Sequence, residues 1–263
     1  MILLYVGVAL LVLLFIGVPV AFSLAGLGTA LLWLKGLPMA MVAQNLQGAL
    51  SNFVLLSVPL FLLMSNILLK GGVGRDLFEA VQKWVGHWPG GLGVAALLSC
   101  GIFSAISGSS VATAATVGTV AIPEMTRRGY GKGFTLGLLA AGGTLGILIP
   151  PSIPLIVYGV ITEESIGKLF LAGVVPGLLL IILFGIYTVI YAITSGQQQS
   201  MTKATWAERK SSTWRALPTM GLAVLILGGI YTGAFTPTEA SAIGVAAAFL
   251  LTAFFLRTLT VKT

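Results

Sequence analysis

Charged residues are scarce in this chain, and their scarcity excludes a soluble domain. Only 8% of its 263 residues are Asp, Glu, Lys or Arg, whereas 57% are hydrophobic and the mean hydropathy is +1.05. Soluble domains usually carry about 25% charged residues. The sequence therefore predicts an all-α polytopic membrane protein, because helices satisfy their backbone polar groups internally.

Cysteine and histidine are nearly absent, since Cys100 and His87 are the sole examples. One cysteine excludes an internal disulfide and a cysteine-based metal cluster, so Cys100 is interpreted as a small buried residue. His87 is interpreted as a polar-face residue rather than a catalyst. The net charge of +7 comes from basic residues spread over short loops, which favours membrane topology and excludes nucleic acid as a partner.

A polar stretch between Pro89 and Pro123 organises the centre of the chain. The intervening segment has roughly 32 residues, whereas a single helical crossing needs about 20. Two legs of roughly 15 residues would each reach about 22 Å, which is too short for a hydrocarbon core of about 30 Å. The sequence therefore predicts a re-entrant helical hairpin over residues 90–122, with its tip at 107–110.

Other segments predict conventional elements around this hairpin. An apolar stripe that includes Leu77, Trp84 and Trp88 predicts an amphipathic helix lying in the membrane interface over residues 75–88. Three prolines and three glycines between residues 142 and 154 predict a discontinuous helix, with a break at Gly143 and Thr144.

These segments predict the following domains. The first repeat covers residues 1–194 and holds scaffold helices over 1–70, the interfacial helix, the hairpin, the broken helix over 134–158 and a span over 169–193. Residues 195–215 form a polar cytoplasmic linker, and residues 216–263 begin an incomplete second repeat. Basic loops place the linker and the ends of the hairpin on the cytoplasmic side.

A short repeated pattern indicates inverted repeats. Pro19, Ser23 and Gly26 have the same spacing as Pro237, Ser241 and Gly244, each at the start of a small-residue helix. On the predicted topology the second helix runs from outside to inside, and the two are inverted if the first runs from inside to outside. Inverted repeats are typical of secondary transporters.

Helix breaks can provide an ion site at membrane depth. A broken helix exposes carbonyls at one end and amides at the other, so a cation and a carboxylate can both be held. The same serines, threonines and glycines also serve simply to pack membrane helices closely, and this alternative stays open.

Four segments in chain order resemble the large membrane subunit of the tripartite ATP-independent periplasmic (TRAP) transporters: Val58-Pro59-Leu60-Phe61, residues 103–113, residues 142–152 and Phe235-Thr236-Pro237-Thr238-Glu239-Ala240. The resemblance implies an elevator-type sodium symporter in the bacterial inner membrane, importing organic acids such as C4-dicarboxylates or sialic acids. It implies two protein partners, a small membrane subunit and a periplasmic substrate-binding protein. It implies no cofactor, with Na⁺ as the coupling ion.

The resemblance also implies where substrate and ion bind. The expected site residues are Ser107, Gly108, Ser109, Ser110, Thr113, Gly142, Gly143, Thr144, Gly146, Pro150 and Ser152. The expected sodium ligands are Ser107, Ser109, Ser110, Gly143 and Thr144.

Two other functions compete with transport. Family members have a second half, whereas this chain resembles the first half and the opening of the second, so it could be a non-transporting scaffold that needs another chain. An intramembrane serine hydrolase is a third hypothesis. It would need a general base near the tip and a nucleophile elbow, and the sequence contains no Gly-x-Ser-x-Gly.

Overall fold

The computed structural model describes residues 2–196 and 201–255. Within these residues the chain is helical and has no β-strand, which confirms the all-α prediction. The α-helices are α1 (Ile2–Phe15), α2 (Val20–Leu34), α3 (Ala40–Leu50), α4 (Ser57–Lys70), α5 (Val73–Val85), α6 (Gly91–Ser107), α7 (Ser110–Arg127), α8 (Lys132–Leu148), α9 (Ile153–Thr162), α10 (Ile166–Ser195), α11 (Trp206–Tyr231) and α12 (Pro237–Leu250). A 3₁₀ turn, Phe53–Leu56, precedes α4, and a π-helical turn, Leu251–Phe255, follows α12.

The first compact unit, Met1–Asn52, contains α1, α2 and α3. The long apolar run at its start divides between Phe15 and Val20, as the Gly17 and Pro19 pair predicts. Gly17 adopts a left-handed backbone conformation, and Pro19 stands immediately before α2, so both residues suit a break between helices.

The second unit, Phe53–Thr263, contains the five described segments that are long and apolar enough to cross a membrane. They are Phe53–Lys70, Lys132–Thr162, Ile166–Ser195, Trp206–Tyr231 and Pro237–Phe254. Their number identifies a multi-pass membrane protein.

The two predicted hairpin legs are present as α6 and α7, which have 17 and 18 residues. The turn between them consists of Gly108, in the left-handed region, and Ser109, in an extended conformation. The predicted end of the second leg at Ile122 is wrong, because α7 continues through Pro123 to Arg127. A proline removes a single helical hydrogen bond, and membrane helices tolerate that loss. The re-entrant course of this pair stays a prediction.

An amphipathic helix is present as α5, although it ends at Val85 and not at the predicted Trp88, and neighbouring helices cover its apolar face. Leu77 and Phe78 are at most 1% exposed, and α5 packs against α6, α7 and α11. Trp84 remains 41% exposed at the edge of this packing. Its position in the membrane interface stays a prediction.

The broken helix is also present, with its break in a different place from the one predicted. Residues 142–146 lie inside the continuous helix α8, and the chain leaves helical geometry only at 149–152. Pro150 and Pro151 have no backbone N–H to continue the helix, whereas glycine only weakens it. The glycines therefore serve packing, and the prolines make the break.

The part of the predicted linker (residues 195–215) from Trp206 onwards is helical. Thr205 and Glu208 form a reciprocal capping box that starts α11 at Trp206, well before the predicted span. Two contacts join this end of α11 to α5, because Lys83 lies 3.2 Å from Glu208 and the indole of Trp84 donates to Thr213 over 2.9 Å. The segments predicted to be cytoplasmic thus meet at one end of the unit.

We expect Glu124→Gln to lower stability at neutral pH and to have little effect in acid. Hydrogen bonds from Arg128 and Arg127 lower the pKa of Glu124 below its usual value. The stabilisation is therefore present above the unfolded pKa of about 4.3 and is lost as the pH falls through the lower folded value. The effect should be at most about 1 kcal/mol, because these pairs are partly exposed.

Thermal unfolding in detergent, followed by circular dichroism at pH 7 and near pH 3, measures this difference. Glu164→Gln is the matched control, since Glu164 is exposed in the loop before α10. An equal loss for Glu124→Gln at both pH values would contradict the assignment.

Candidate functional site

The two helix breaks touch each other. The amide of Ile153, at the start of α9, donates to the carbonyl of Gly108 over 3.2 Å. Gly108 has a φ of +61°, and a Cβ added to it would lie 2.5 Å from the carbonyl oxygen of Pro151. Only glycine suits this position, and the backbone contact holds both breaks at the same level.

The last turns of α8 pack directly against the hairpin tip. A Cβ on Gly146 would lie 2.8 Å from the carbonyl carbon of Ser109 and 2.9 Å from the amide nitrogen of Ser110. A Cβ on Gly143 would lie 3.0 Å from the Cβ of Ala114, one turn further along α7. These two glycines therefore bring the backbones of α7 and α8 together.

Four helix ends converge at this contact. The helices α6 and α8 end here with their negative dipole ends, and α7 and α9 begin here with their positive ends. The side chains of Ser109 and Ser152 cap the two new helices, accepting from the amides of Ala112 and Leu155 over 3.4 Å in each case. Ser152 also donates to the carbonyl of Ile147 in the last turn of α8.

Three buried hydroxyls tie the legs together beneath the tip. The hydroxyl oxygens of Ser107 and Thr113 lie 2.9 Å apart, and that of Ser104 lies 3.4 Å from Thr113. All three side chains have 0% exposure. Ser104 was not among the predicted site residues, although its position three residues before Ser107 puts both on one helix face.

The site is rich in neutral oxygen atoms. Residues 104–113 and 142–153 include no Asp, Glu, Lys or Arg. Among the described residues, no group of three or more His, Cys, Asp or Glu side chains is placed to hold a metal ion. Such an arrangement suits a monovalent cation held by carbonyls and hydroxyls, with an anion facing helix N-termini.

The structure gathers most of the predicted site residues and separates two from the tip. Those at the contact between the breaks or in the adjoining turns are Ser107, Gly108, Ser109, Ser110, Thr113, Gly143, Gly146, Pro150 and Ser152. Thr144 is exposed, and its hydroxyl donates to the carbonyl of Ala141 over 2.6 Å. Gly142 faces α6 instead, where a Cβ would lie 2.9 Å from the sulfur of buried Cys100.

The predicted break at Gly143 and Thr144 is therefore wrong, and these residues release no carbonyls by interrupting the helix. The last helical hydrogen bond of α8 runs from the amide of Ile149 to the carbonyl of Leu145 over 2.8 Å. The carbonyls without a partner inside the helix are therefore those that follow Leu145 in its final turn. In the sequence, Pro150 and Pro151 indicate the position of the break.

We expect Gly146→Ala to destabilise the protein and Gly137→Ala to stabilise it. Both glycines lie in α8, where alanine is the better helix former by about 1 kcal/mol. A Cβ at Gly137 meets nothing within 4 Å, whereas at Gly146 it meets the Ser109 backbone. Overpacking there should cost about 1–3 kcal/mol.

Thermal unfolding of the two variants beside the unchanged chain tests this packing. If Gly146→Ala were as stable as Gly137→Ala, the close approach of α8 to the tip would be wrong.

Comparison with known proteins agrees with this architecture. Residues 7–263 match the family model described as tripartite ATP-independent periplasmic transporter, DctM component. The chain is 49% identical over 193 residues to the C4-dicarboxylate TRAP transporter large permease protein DctM of Pseudomonas aeruginosa, covering 73% of this chain and 45% of that protein.

Two further relatives are named for different substrates. The chain is 42% identical to the ectoine TRAP transporter large permease protein TeaC of Halomonas elongata, over 85% of this chain and 52% of the relative. It is 38% identical to the sialic acid TRAP transporter large permease protein SiaM of Vibrio cholerae, over 95% and 58% respectively. The chain spans about half the length of the curated relatives it matches.

The family match covers nearly the whole chain, and these relatives are transport permeases rather than enzymes, which removes the serine hydrolase hypothesis. The fold agrees, since it supplies several membrane-spanning helices and a pair of helix breaks at one level. The chain belongs to the DctM family, the large permease component of tripartite ATP-independent periplasmic transporters.

Proposed function

We propose that this chain forms part of a sodium-driven importer of organic acids in a bacterial inner membrane. In this proposal it works with a small membrane subunit and a periplasmic binding protein, as the family implies. The relatives are named for C4-dicarboxylate, sialic acid and ectoine, so the proposed substrate class is no finer than organic acids.

The contact between the two helix breaks carries this proposal. The hydrogen bond from Ile153 to Gly108 joins them, and four helix ends meet around it. The starts of α7 and α9 are proposed to receive a substrate carboxylate, because free amides and positive dipole ends favour an anion. No charged side chain is needed for this recognition.

Sodium is proposed to bind at the opposite dipole ends. The carbonyls that end α6 and α8, with the hydroxyls of Ser107, Ser109 and Ser110, supply oxygen ligands. The hydroxyl of Ser107 already forms a hydrogen bond with that of Thr113, so it would coordinate the ion through a remaining lone pair. Gly143 contributes by close packing, and exposed Thr144 could contribute only from the outer face of α8.

The exposed side of the tip is proposed to face a second half of the site. Val111, in the first turn of α7, is 77% exposed, and Thr144 is exposed on α8. The match covers only 45% and 52% of the C4-dicarboxylate and ectoine relatives, so a polypeptide matching their remaining part is the proposed complement. The competing function is a scaffold that binds its partners without transport.

Reconstitution in proteoliposomes separates these functions. The chain would be combined with the small subunit and the binding protein, with and without a polypeptide matching the second half of a relative. Uptake of labelled succinate or sialic acid would be measured under an inward Na⁺ gradient and under a K⁺ gradient. Uptake that requires the added half and Na⁺ supports the proposal, whereas equal uptake with K⁺ removes the sodium step, and no uptake favours the scaffold.

We expect Ser110→Ala to reduce sodium-dependent uptake about tenfold or more, because a bond to a charged partner is worth about 1.5–3 kcal/mol. Gly143→Leu should reduce uptake further by separating α7 from α8. Both variants would be tested in the complemented proteoliposomes.

Ser99→Ala is the matched control for Ser110→Ala. Its hydroxyl is buried in α6 and donates to the carbonyl of Ala95 over 2.7 Å, away from the tip. Membrane insertion should be unchanged in all three variants. Normal uptake by both Ser110→Ala and Gly143→Leu would show that the site lies elsewhere.

A further inference from the structure

A basic groove lies away from the helix breaks, between α5, α7 and the first turns of α11. It has a volume of about 540 Å³. Five cationic side chains line it: Arg75, Lys83, Arg127, Arg128 and Arg215. All five lie away from the tip at residues 107–110 and from the break at residues 149–152, so the proposed transport site leaves this groove unexplained.

Carboxylates neutralise only part of this charge. Glu124 accepts from both Arg127 and Arg128, the latter over 2.8 Å. Glu79 is likewise shared, lying 3.5 Å from Arg215 and 4.0 Å from Arg75.

Glu124 can cancel the charge of one of its two partners, so this trio keeps one positive charge. Arg75 and Arg215 share Glu79 and also interact electrostatically with Asp76, so their charges are balanced. Lys83 is paired separately with Glu208 over 3.2 Å. Five cations against four carboxylates (Glu79, Glu124, Glu208 and Asp76) leave one positive charge at the groove.

The arginines can reach a ligand without breaking these pairs. The side chains of Arg75 and Arg127 are each 75% exposed, and Arg215 is 57% exposed. A guanidinium has five donors in a planar fork, so one edge can hold a carboxylate while another binds a phosphate oxygen.

Part of the groove lining is apolar. Phe78, Val120, Pro123 and Met201 line the groove together with the cations. A small soluble phosphate would leave this surface in water. A phosphate attached to a glycerol backbone and acyl chains would cover it, so the groove combines cation and apolar surface in the way a lipid headgroup requires.

Tryptophans mark the same end of the protein as a membrane surface. Trp84, Trp206 and Trp214 are 41%, 70% and 72% exposed, and the rings of Trp84 and Trp206 meet edge to face at 5.8 Å. Trp84 follows Lys83, and Trp214 precedes Arg215. Amphipathic indoles concentrate at headgroup level, so the groove opens where phospholipid headgroups lie.

We propose that this groove binds the headgroup of an anionic phospholipid. Arg75, Arg127 and Arg215 would hold the phosphate, and the start of an acyl chain would lie against Phe78 and Met201. Because α7 forms one wall of the groove and begins at Ser110 of the tip, the bound lipid contacts a helix of the proposed transport site. The lipid proposal rests only on the residues of the groove. It is independent of the proposed transport function.

Tryptophan quenching by brominated lipids tests this site. The purified chain in detergent would be titrated with phosphatidylglycerol and with phosphatidylcholine, both brominated on the acyl chains. Phosphatidylglycerol should bind at least about fivefold more tightly, since each basic residue near an anionic lipid surface contributes about a fivefold preference. Glycerol 3-phosphate at the same concentration should not displace it.

Variants assign the binding to the groove. Arg75→Gln with Arg127→Gln should weaken phosphatidylglycerol binding about fivefold for each arginine removed. Lys132→Gln with Lys168→Gln is the matched control, because both lysines are exposed and neither lines the groove. Arg127→Gln alone serves if the double variant unfolds, since its guanidinium is largely in solvent.

Three results would overturn the proposal. Equal quenching by phosphatidylcholine would show only apolar binding. Displacement of the lipid by glycerol 3-phosphate at equal concentration would identify a soluble phosphate as the ligand. Unchanged phosphatidylglycerol affinity in the arginine variants would place the lipid elsewhere on the protein.

Discussion

The hydrogen bond from the amide of Ile153 to the carbonyl of Gly108 joins two helix breaks, whose backbone polar groups need hydrogen-bond partners. Backbone polar groups at membrane depth must be satisfied within the protein, because the hydrocarbon offers no partner. Each break meets this requirement through the other, and the hydroxyls of Ser109 and Ser152 cap the helices that begin there. The packing of α6, α7, α8 and α9 depends on keeping this contact intact.

Close packing of backbones makes that contact possible. Gly108, Gly143 and Gly146 stand where a Cβ would press on Pro151, Ala114 or Ser109, so the small residues have a geometric reason at each position. The proposed ligand site uses the helix ends that these glycines bring together. These glycines can therefore serve both helix packing and ligand binding, because a site built from backbone groups needs backbones that approach one another.

Charge is divided between two parts of the second unit. The region of the breaks has hydroxyls and carbonyls but no ionised side chain, whereas the arginines gather between α5, α7 and α11. An ionised group near mid-membrane is costly unless it is paired, and the same group at the interface is solvated. The neutral region is the site proposed for a small ion and an anion, and the basic groove is the site proposed for a lipid.

The sequence by itself determined the membrane class, the family, the two legs and the presence of a broken helix, because hydropathy, proline and glycine act locally. It placed the break at Gly143 instead of Pro150, since a glycine that weakens a helix alone is stabilised when it packs against α7. It also missed Ser104 and the helical start at Trp206. Only the tertiary structure decided that Ile153 meets Gly108, that Thr144 faces outward and that distant arginines share one groove, because these contacts join segments far apart in the chain.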